Sequence, residues 1–157
     1  MGGQAGYSVI TTAAVALAAA TAKSVVGVNA TANFGCVLKK YRIGFDGVTA
    51  TAVPVYVEIC NCTFATNVPG TASTTETLWQ VYGKGITGGF TVARNWTTEP
   101  TVVSPLDAFL LTPNSGTVLY DYPLGDCPDV GVSNGFVIRC TAPAVVNVRA
   151  TLWFERA

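Results

Sequence analysis

The five cysteines are the side chains with the most evident chemistry, and they lie at positions 36, 60, 62, 127 and 140. In a β-strand, Cys60 and Cys62 would share a face with their Cα atoms about 6.5 to 7 Å apart and their Cβ bonds parallel, which disfavours a disulfide between them. Two thiolates on one face could begin a zinc site, but a closed tetrahedral site needs four ligands and the chain has no histidine. We therefore expect free, buried or half-buried thiols, with no metal ion and no cofactor. The odd number of cysteines also argues against a disulfide-stapled secreted module.

Carboxylates are the second group of candidates. Asp121, Asp126 and Asp129 cluster in the run DYPLGDCPD and could offer oxygen ligands to a calcium ion. Aspartates beside proline and glycine usually accept hydrogen bonds from nearby backbone N–H groups, so a structural turn is expected instead. Pairs of carboxylates such as those used by glycosidases are weak evidence for catalysis here, because any all-β chain with nine acids contains such pairs. Since the chain also has no imidazole base for a serine or cysteine nucleophile, we expect no enzymatic activity.

The three tryptophans, Trp79, Trp96 and Trp153, are open to two interpretations. They could form a platform on which sugar rings stack, or they could lie in the core or at a subunit interface, where aromatic residues are enriched. Trp153 is the preferred interface candidate, because in an extended strand it lies opposite the apolar face, beside Arg149 and Glu155.

The composition indicates that part of the surface contacts other proteins. The chain has 157 residues, enough for one domain, and only 11% of them are charged against roughly 25% in a typical soluble domain. A folded monomer of this mass exposes about 7,500 Å², so the charges would be about half as dense as usual. The net charge is zero and the only adjacent cations are Lys39 and Lys40, which argues against nucleic-acid binding.

The elements that must position these residues are β-strands. Residues 52–64 alternate between an apolar face and a face that carries Tyr56, Glu58 and the cysteine pair, and residues 144–156 alternate in the same way. Weaker alternating runs, separated by turns rich in glycine and proline, bring the expected number of strands to eight to ten. The sequence therefore predicts an all-β fold, a single-domain, jelly-roll-like β-sandwich of two sheets over residues 25–157.

The amino-terminal residues 1–24 are expected to form an arm. The first 22 residues carry no charge, yet no basic residue precedes the apolar run as it would in a signal peptide, and the run is shorter than the about 20 residues of a membrane span. Alanine content favours a short helix, whereas threonine, valine and glycine favour an extended chain. Either form is expected to pack on its own domain or on a neighbouring subunit, and no membrane contact is expected.

Several segments resemble a group of small tailed-phage and prophage proteins that look like capsid decoration (cement) or related head proteins. The resemblance runs from about residue 23 to the end and rests on the segments KKYRIGFDGVTATAVPVYVEIC, FATNVPGTASTTETLWQVYGKG, NWTTEPT, FLLTPNSGTVLYDYPLGD and GFVIRCTAPAVVNVRATLWFERA. It implies a structural virion protein, made in the bacterial cytoplasm, that binds the major capsid protein of a phage head as a homo-oligomer, in many such proteins a trimer.

The functional expectation is therefore a shell-stabilising contact protein, with a glycan-binding or adhesion module on a virion or cell surface as the alternative. The residues expected at subunit interfaces are Val9, Val15, Leu17, Tyr56 and Trp153.

Overall fold

The computed structural model describes residues 5–30, 32–46, 53–101, 103–114 and 116–157. Within these ranges the chain forms thirteen β-strands and no helix, so none of the described residues belongs to a helix that could cross a membrane. The strands are β1 (Gly6–Ile10), β2 (Val15–Leu17), β3 (Ala22–Asn29), β4 (Cys36–Phe45), β5 (Val55–Cys62), β6 (Thr74–Thr75), β7 (Trp79–Tyr82), β8 (Thr91–Arg94), β9 (Val103–Leu111), β10 (Thr117–Asp121), β11 (Asp129–Val130), β12 (Gly135–Thr141) and β13 (Val146–Arg156).

The strands form two antiparallel sheets, which confirms the expected all-β sandwich. Sheet I has the order β10-β4-β13-β1-β7, with β11 also paired to β4 and β2 also paired to β13. Sheet II has the order β6-β8-β3-β12-β5-β9. The two inner faces meet in one core cluster, as the two-residue period of the strands requires.

The two strands that alternate most clearly in the sequence contribute directly to this core. In β13 the buried side chains are Val146, Val148, Ala150, Leu152 and Phe154. In β5, Val55, Val57 and Ile59 enter the same core. The opposite face of β5 is not open, however, because Cys60 and Cys62 belong to a second buried cluster. The carboxyl-terminal half of β5 is therefore covered on both faces.

This second cluster lies on the outer face of sheet II and is covered by the chain itself. The Trp96 ring lies over Gly27, where a Cβ would come within 2.8 Å of a ring carbon, so this strand position has room only for glycine. The Trp96 indole N–H donates to the Asn67 carbonyl at 2.8 Å, and the Glu99 carboxylate accepts the Ser24 N–H at 2.9 Å. These bonds hold parts of the segments 63–73 and 95–101 on the sheet.

The amino-terminal segment is part of the sandwich. Of the two expected forms it takes the extended one, and β1 lies inside sheet I between β13 and β7 while β2 continues along the same edge of β13. The expected boundary between residues 24 and 25 falls inside β3, so it divides no structural units. Val9, Val15 and Leu17 are fully buried in the chain's own core. The expectation that these three residues contact another subunit is therefore wrong.

Leu17→Ala should lower the free energy of unfolding by about 2–5 kcal/mol, because it leaves a cavity in a packed core. Leu110→Ala is the matched control, since Leu110 lies in β9 with 66% of its surface exposed, and it should change stability by less than about 0.5 kcal/mol. Urea unfolding followed by tryptophan fluorescence measures both. Equal, small effects of the two variants would contradict the placement of β2 in the core.

Candidate interaction face

The outer face of sheet I places five side chains from five neighbouring strands in one row. The strand register pairs Asp121 with Lys40, Lys40 with Trp153, Trp153 with Ser8 and Ser8 with Trp79. Directly paired side chains on one face of an antiparallel sheet lie within contact range of each other. The face therefore joins a carboxylate, a cation and two tryptophans that are up to 113 positions apart in the sequence, counted from residue 40 to residue 153.

Trp153 is flanked by two cations of β4. The Lys40 Nζ lies 4.8 Å and the Arg42 Cζ lies 5.4 Å from the centre of the Trp153 ring. A cation over an aromatic face is attracted by the negative charge density of the ring. The ring therefore holds the two positive groups near the surface of the sheet.

A bulge in β4 adds a third cation. The register pairs Trp153 with Lys40 but Phe154 with Leu38, so Lys39 is an extra residue opposite this step. None of Lys39, Lys40 and Arg42 forms a salt bridge with a described carboxylate; the salt bridges among the described residues are Arg94–Glu76, Arg139–Glu58 and Arg149–Asp46. The face thus carries three positive charges that form no salt bridge with a described residue, and one carboxylate, Asp121, which is the cross-strand neighbour of Lys40.

A second bulge, in β7, turns two aromatic side chains to the same face. The register pairs Trp79 with Ser8 and Tyr82 with Gly6, although three positions separate the two aromatic residues. They expose 50% and 43% of their surfaces. The Tyr82 ring lies over Gly6, where a Cβ would collide with it, and its hydroxyl donates to the Glu155 carboxylate. Burial and this carboxylate raise the pKa of Tyr82, so the hydroxyl stays a donor at neutral pH.

A cavity of about 190 Å³ opens between the two bulges. Its walls are mainly aromatic and aliphatic, and its rim carries the β4 lysines and one aspartate; the lining residues are Gly6, Tyr7, Lys39, Lys40, Val81, Tyr82, Asp121, Trp153 and Phe154. Such a cavity accepts an apolar group, and its rim favours a negative charge beside that group.

The structure separates the remaining two interface candidates. Trp153 is half-buried on the outer face of sheet I, whereas Tyr56 is 42% exposed on the outer face of sheet II, opposite Leu110. The two residues lie on opposite sides of the sandwich and do not form one surface. Trp79 and Tyr82 were not among the expected interface residues, because the bulge that turns both to one face has no signal in the sequence.

The three tryptophans do not form a common sugar-stacking platform. Trp96 is buried in the second cluster on sheet II, and the Trp153 ring is already in contact with Lys40 and Arg42. Among the three, Trp79 has a half-exposed ring.

The cysteines are free, and Cys36, Cys60, Cys62 and Cys140 are buried while Cys127 is half-buried. Burial raises the pKa of the Cys60 thiol to about 12, and it also raises the pKa values of Cys36, Cys62 and Cys140. Since the thiolate is the reactive form, these four groups are poor nucleophiles at neutral pH. Within the described ranges, acids and thiols form no group of three that could hold a metal ion.

Comparisons with known proteins add little to this description. No family model and no curated protein matches the chain. Among solved structures, it is similar to VP2 in the crystal structure of the infectious bursal disease virus VP2 subviral particle, with 10% identity and a TM-score of 0.18. The match covers 94% of this chain but spans only 41% of that chain, and a similarity at this level has no bearing on fold or function.

Thiol labelling with a disulfide reagent at pH 8 should modify one cysteine quickly and the other four only after unfolding, because the latter are buried. A Cys127→Ser variant should remove the fast phase. Two or more fast phases that survive in this variant would contradict the burial of the remaining thiols.

Stability should also fall in alkaline solution. The unfolded chain ionises its thiols near their ordinary pKa of about 8.5, whereas the folded chain holds the Cys60 thiol neutral to about pH 12. Stabilisation by the neutral thiols is therefore complete below about pH 8.5 and is lost as the pH rises towards the folded-state pKa. The urea midpoint should decrease from pH 8 to pH 10, and Cys60→Ala should reduce this decrease; a midpoint that rises over this range would contradict the raised pKa values.

Proposed function

We propose that this protein is a non-enzymatic structural virion protein, a capsid decoration (cement) protein that binds the outer surface of a tailed-phage head as a homo-oligomer. The observation that carries this proposal is the outer face of sheet I, where Tyr82 and Trp153 line an apolar cavity, Trp79 is half-exposed on the same face, and three cations of β4 form no salt bridge with a described residue. The resemblance of the strand and turn segments to tailed-phage head proteins supports the specific role. It also implies that the oligomer is a trimer.

The physical basis of the role is the burial of this face. An isolated domain normally places lysine and glutamate where Trp79, Val81 and Tyr82 are half-exposed here. Contact with a neighbouring protein removes apolar surface from water and offsets the loss of translational and rotational freedom. A bound subunit that contacts only the assembled shell stabilises the shell by mass action. Catalysis is not required, and the buried thiols with raised pKa values fit a passive role.

Glycan binding is the second candidate, and one observation favours it. Trp79 exposes half of its surface on the same face of sheet I as Tyr82, whose ring lines the cavity. A sugar ring can stack on one such aromatic face while its hydroxyl groups bond to nearby polar side chains. Head binding and glycan binding would use the same face, so the two functions differ in the ligand that this face binds.

Purified protein should co-sediment with heads of a tailed phage that encodes this chain, and bound heads should resist heat better than bare heads. Trp79→Asp should weaken head binding about tenfold or more, because it removes an exposed aromatic contact. Tyr56→Asp is the control, since it changes an aromatic residue of similar exposure on the opposite face.

The absence of head binding, or its loss in Tyr56→Asp but not in Trp79→Asp, would overturn the proposed role. The glycan-binding alternative would be favoured if the protein does not bind heads and its tryptophan fluorescence changes when sugars are added. Trp79→Asp should then abolish this change.

A further inference from the structure

One apolar side chain projects almost completely into solvent. Leu124, between β10 and β11, exposes 96% of its surface, more than any other large hydrophobic residue described. A single exposed leucine is common on protein surfaces. This one differs because a tight turn fixes its position and because carboxylates flank it on both sides.

The turn that carries Leu124 is held at its base. The Asp126 N–H donates to the Pro123 carbonyl at 3.0 Å, and Gly125 has a φ of 94°, which is the geometry of a type II turn with Leu124 at its tip. The loop of residues 121–129 is tied to β4 at both ends. The Tyr122 N–H donates to the Lys39 carbonyl at 3.0 Å, and the Leu38 N–H donates to the Pro128 carbonyl at 2.9 Å.

The same loop carries three of the carboxylates that form no salt bridge with a described residue. Asp121, Asp126 and Asp129 are exposed, and none of them forms a salt bridge with a described residue. The loop therefore presents a leucine at its tip and three negative charges around it.

The cavity on the outer face of sheet I has the complementary properties. Its volume of about 190 Å³ exceeds that of an engineered apolar cavity of about 150 Å³ that accepts benzene, so it has room for a leucine side chain. Tyr82 and Trp153 supply apolar walls, and Lys40 lies on its rim with Lys39. Arg42 adds a positive charge beside Trp153. This side of the cavity therefore carries three cations and one carboxylate, Asp121, while Asp126 and Asp129 on the loop can supply the negative charge that matches the remaining cations.

The loop does not fill the cavity of its own chain. Leu124 is exposed although Asp121, at the start of the same loop, lines the cavity. The backbone bonds hold both ends of the loop beside β4 while its tip stays in solvent. The tip is therefore free to contact the cavity of another molecule.

We propose that the loop of residues 121–129 docks into the outer-face cavity of a second copy of this chain, with Leu124 in the cavity and the carboxylates of Asp126 and Asp129 against Lys39, Lys40 and Arg42. This contact deepens the homo-oligomer proposed above and rests on it. Because the loop and the cavity belong to one chain, each copy offers both halves of the contact, and a head-to-tail contact of this kind can close into a ring such as a trimer. Ionic attraction across the contact should make the association weaker at high salt.

Charge reversal and rescue test this contact by sedimentation velocity over a range of concentrations. Lys40→Glu with Arg42→Glu, or Asp126→Lys with Asp129→Lys, should each raise the dissociation constant about tenfold or more. All four changes in one chain should restore association, because the charges are exchanged and not lost. Leu124→Ser should weaken association by a similar factor, whereas Leu110→Ser, an exposed leucine on the opposite outer face, should leave it unchanged. Circular dichroism and urea midpoints verify the fold of each variant.

Three outcomes would overturn the contact. A protein that is monomeric at all concentrations would rule out this contact. If that monomer still binds phage heads, the proposed head role stands and only this interface is wrong. Association that persists in Leu124→Ser and in both reversed variants would show that another surface makes the oligomer. Loss of association in the single reversals without rescue in the combined variant would show that the charges act separately and do not pair across the contact.

Discussion

The pairing of β13 with strands on both of its edges is the interaction on which the core and the outer face both depend. One edge of β13 pairs with β4 over nine residue pairs, and the other edge pairs with β1 and β2. Because successive side chains of a strand point to opposite faces, the same strand supplies Leu152 to the core and Trp153 to the surface. The chain's first strand is thereby held by its last, and the outer face cannot form before both ends of the chain have met.

Charge distribution follows from this arrangement. Among the described residues, three salt bridges use six of the eighteen charges, and the exposed one, between Arg149 and Asp46, contributes little in water. The chain exposes 7334 Å², close to the value expected for a monomer of its mass, so the few charges are spread thinly. The cations of β4 and the carboxylates of the 121–129 loop stand out because they are adjacent along the same strand edge and remain unpaired.

The sequence predicts the fold best where the two-residue alternation of apolar side chains persists along a whole strand. The alternation of β5 and β13 identified their core faces correctly, since a strand with one buried face must alternate. It gave no sign that Trp96 covers Cys60 and Cys62, because that contact joins segments that are distant in the sequence. The sequence predicts an amino-terminal arm where the structure has β1 and β2, because an uncharged, alanine-rich run is equally typical of an arm and of a buried strand. Both bulges on sheet I were missed, since an extra residue in a strand changes no residue type.

A proline and several side chains obstruct strand addition at two of the sheet edges, which favours association through side chains there. At the β9 edge of sheet II, Pro105 has no N–H to donate, and the Asp107 carboxylate accepts the Ala108 N–H at 2.9 Å. At the β7 edge of sheet I, the Lys84 Nζ donates to the Gln80 carbonyl at 3.2 Å, and the Gln80 side-chain amide donates to the Gly83 carbonyl. Since side chains already satisfy these backbone groups, another strand would have to displace them to pair. The exposed aromatic rings and cations of the outer face present no such barrier, because a partner that covers them adds contacts without breaking a hydrogen bond of the sheet.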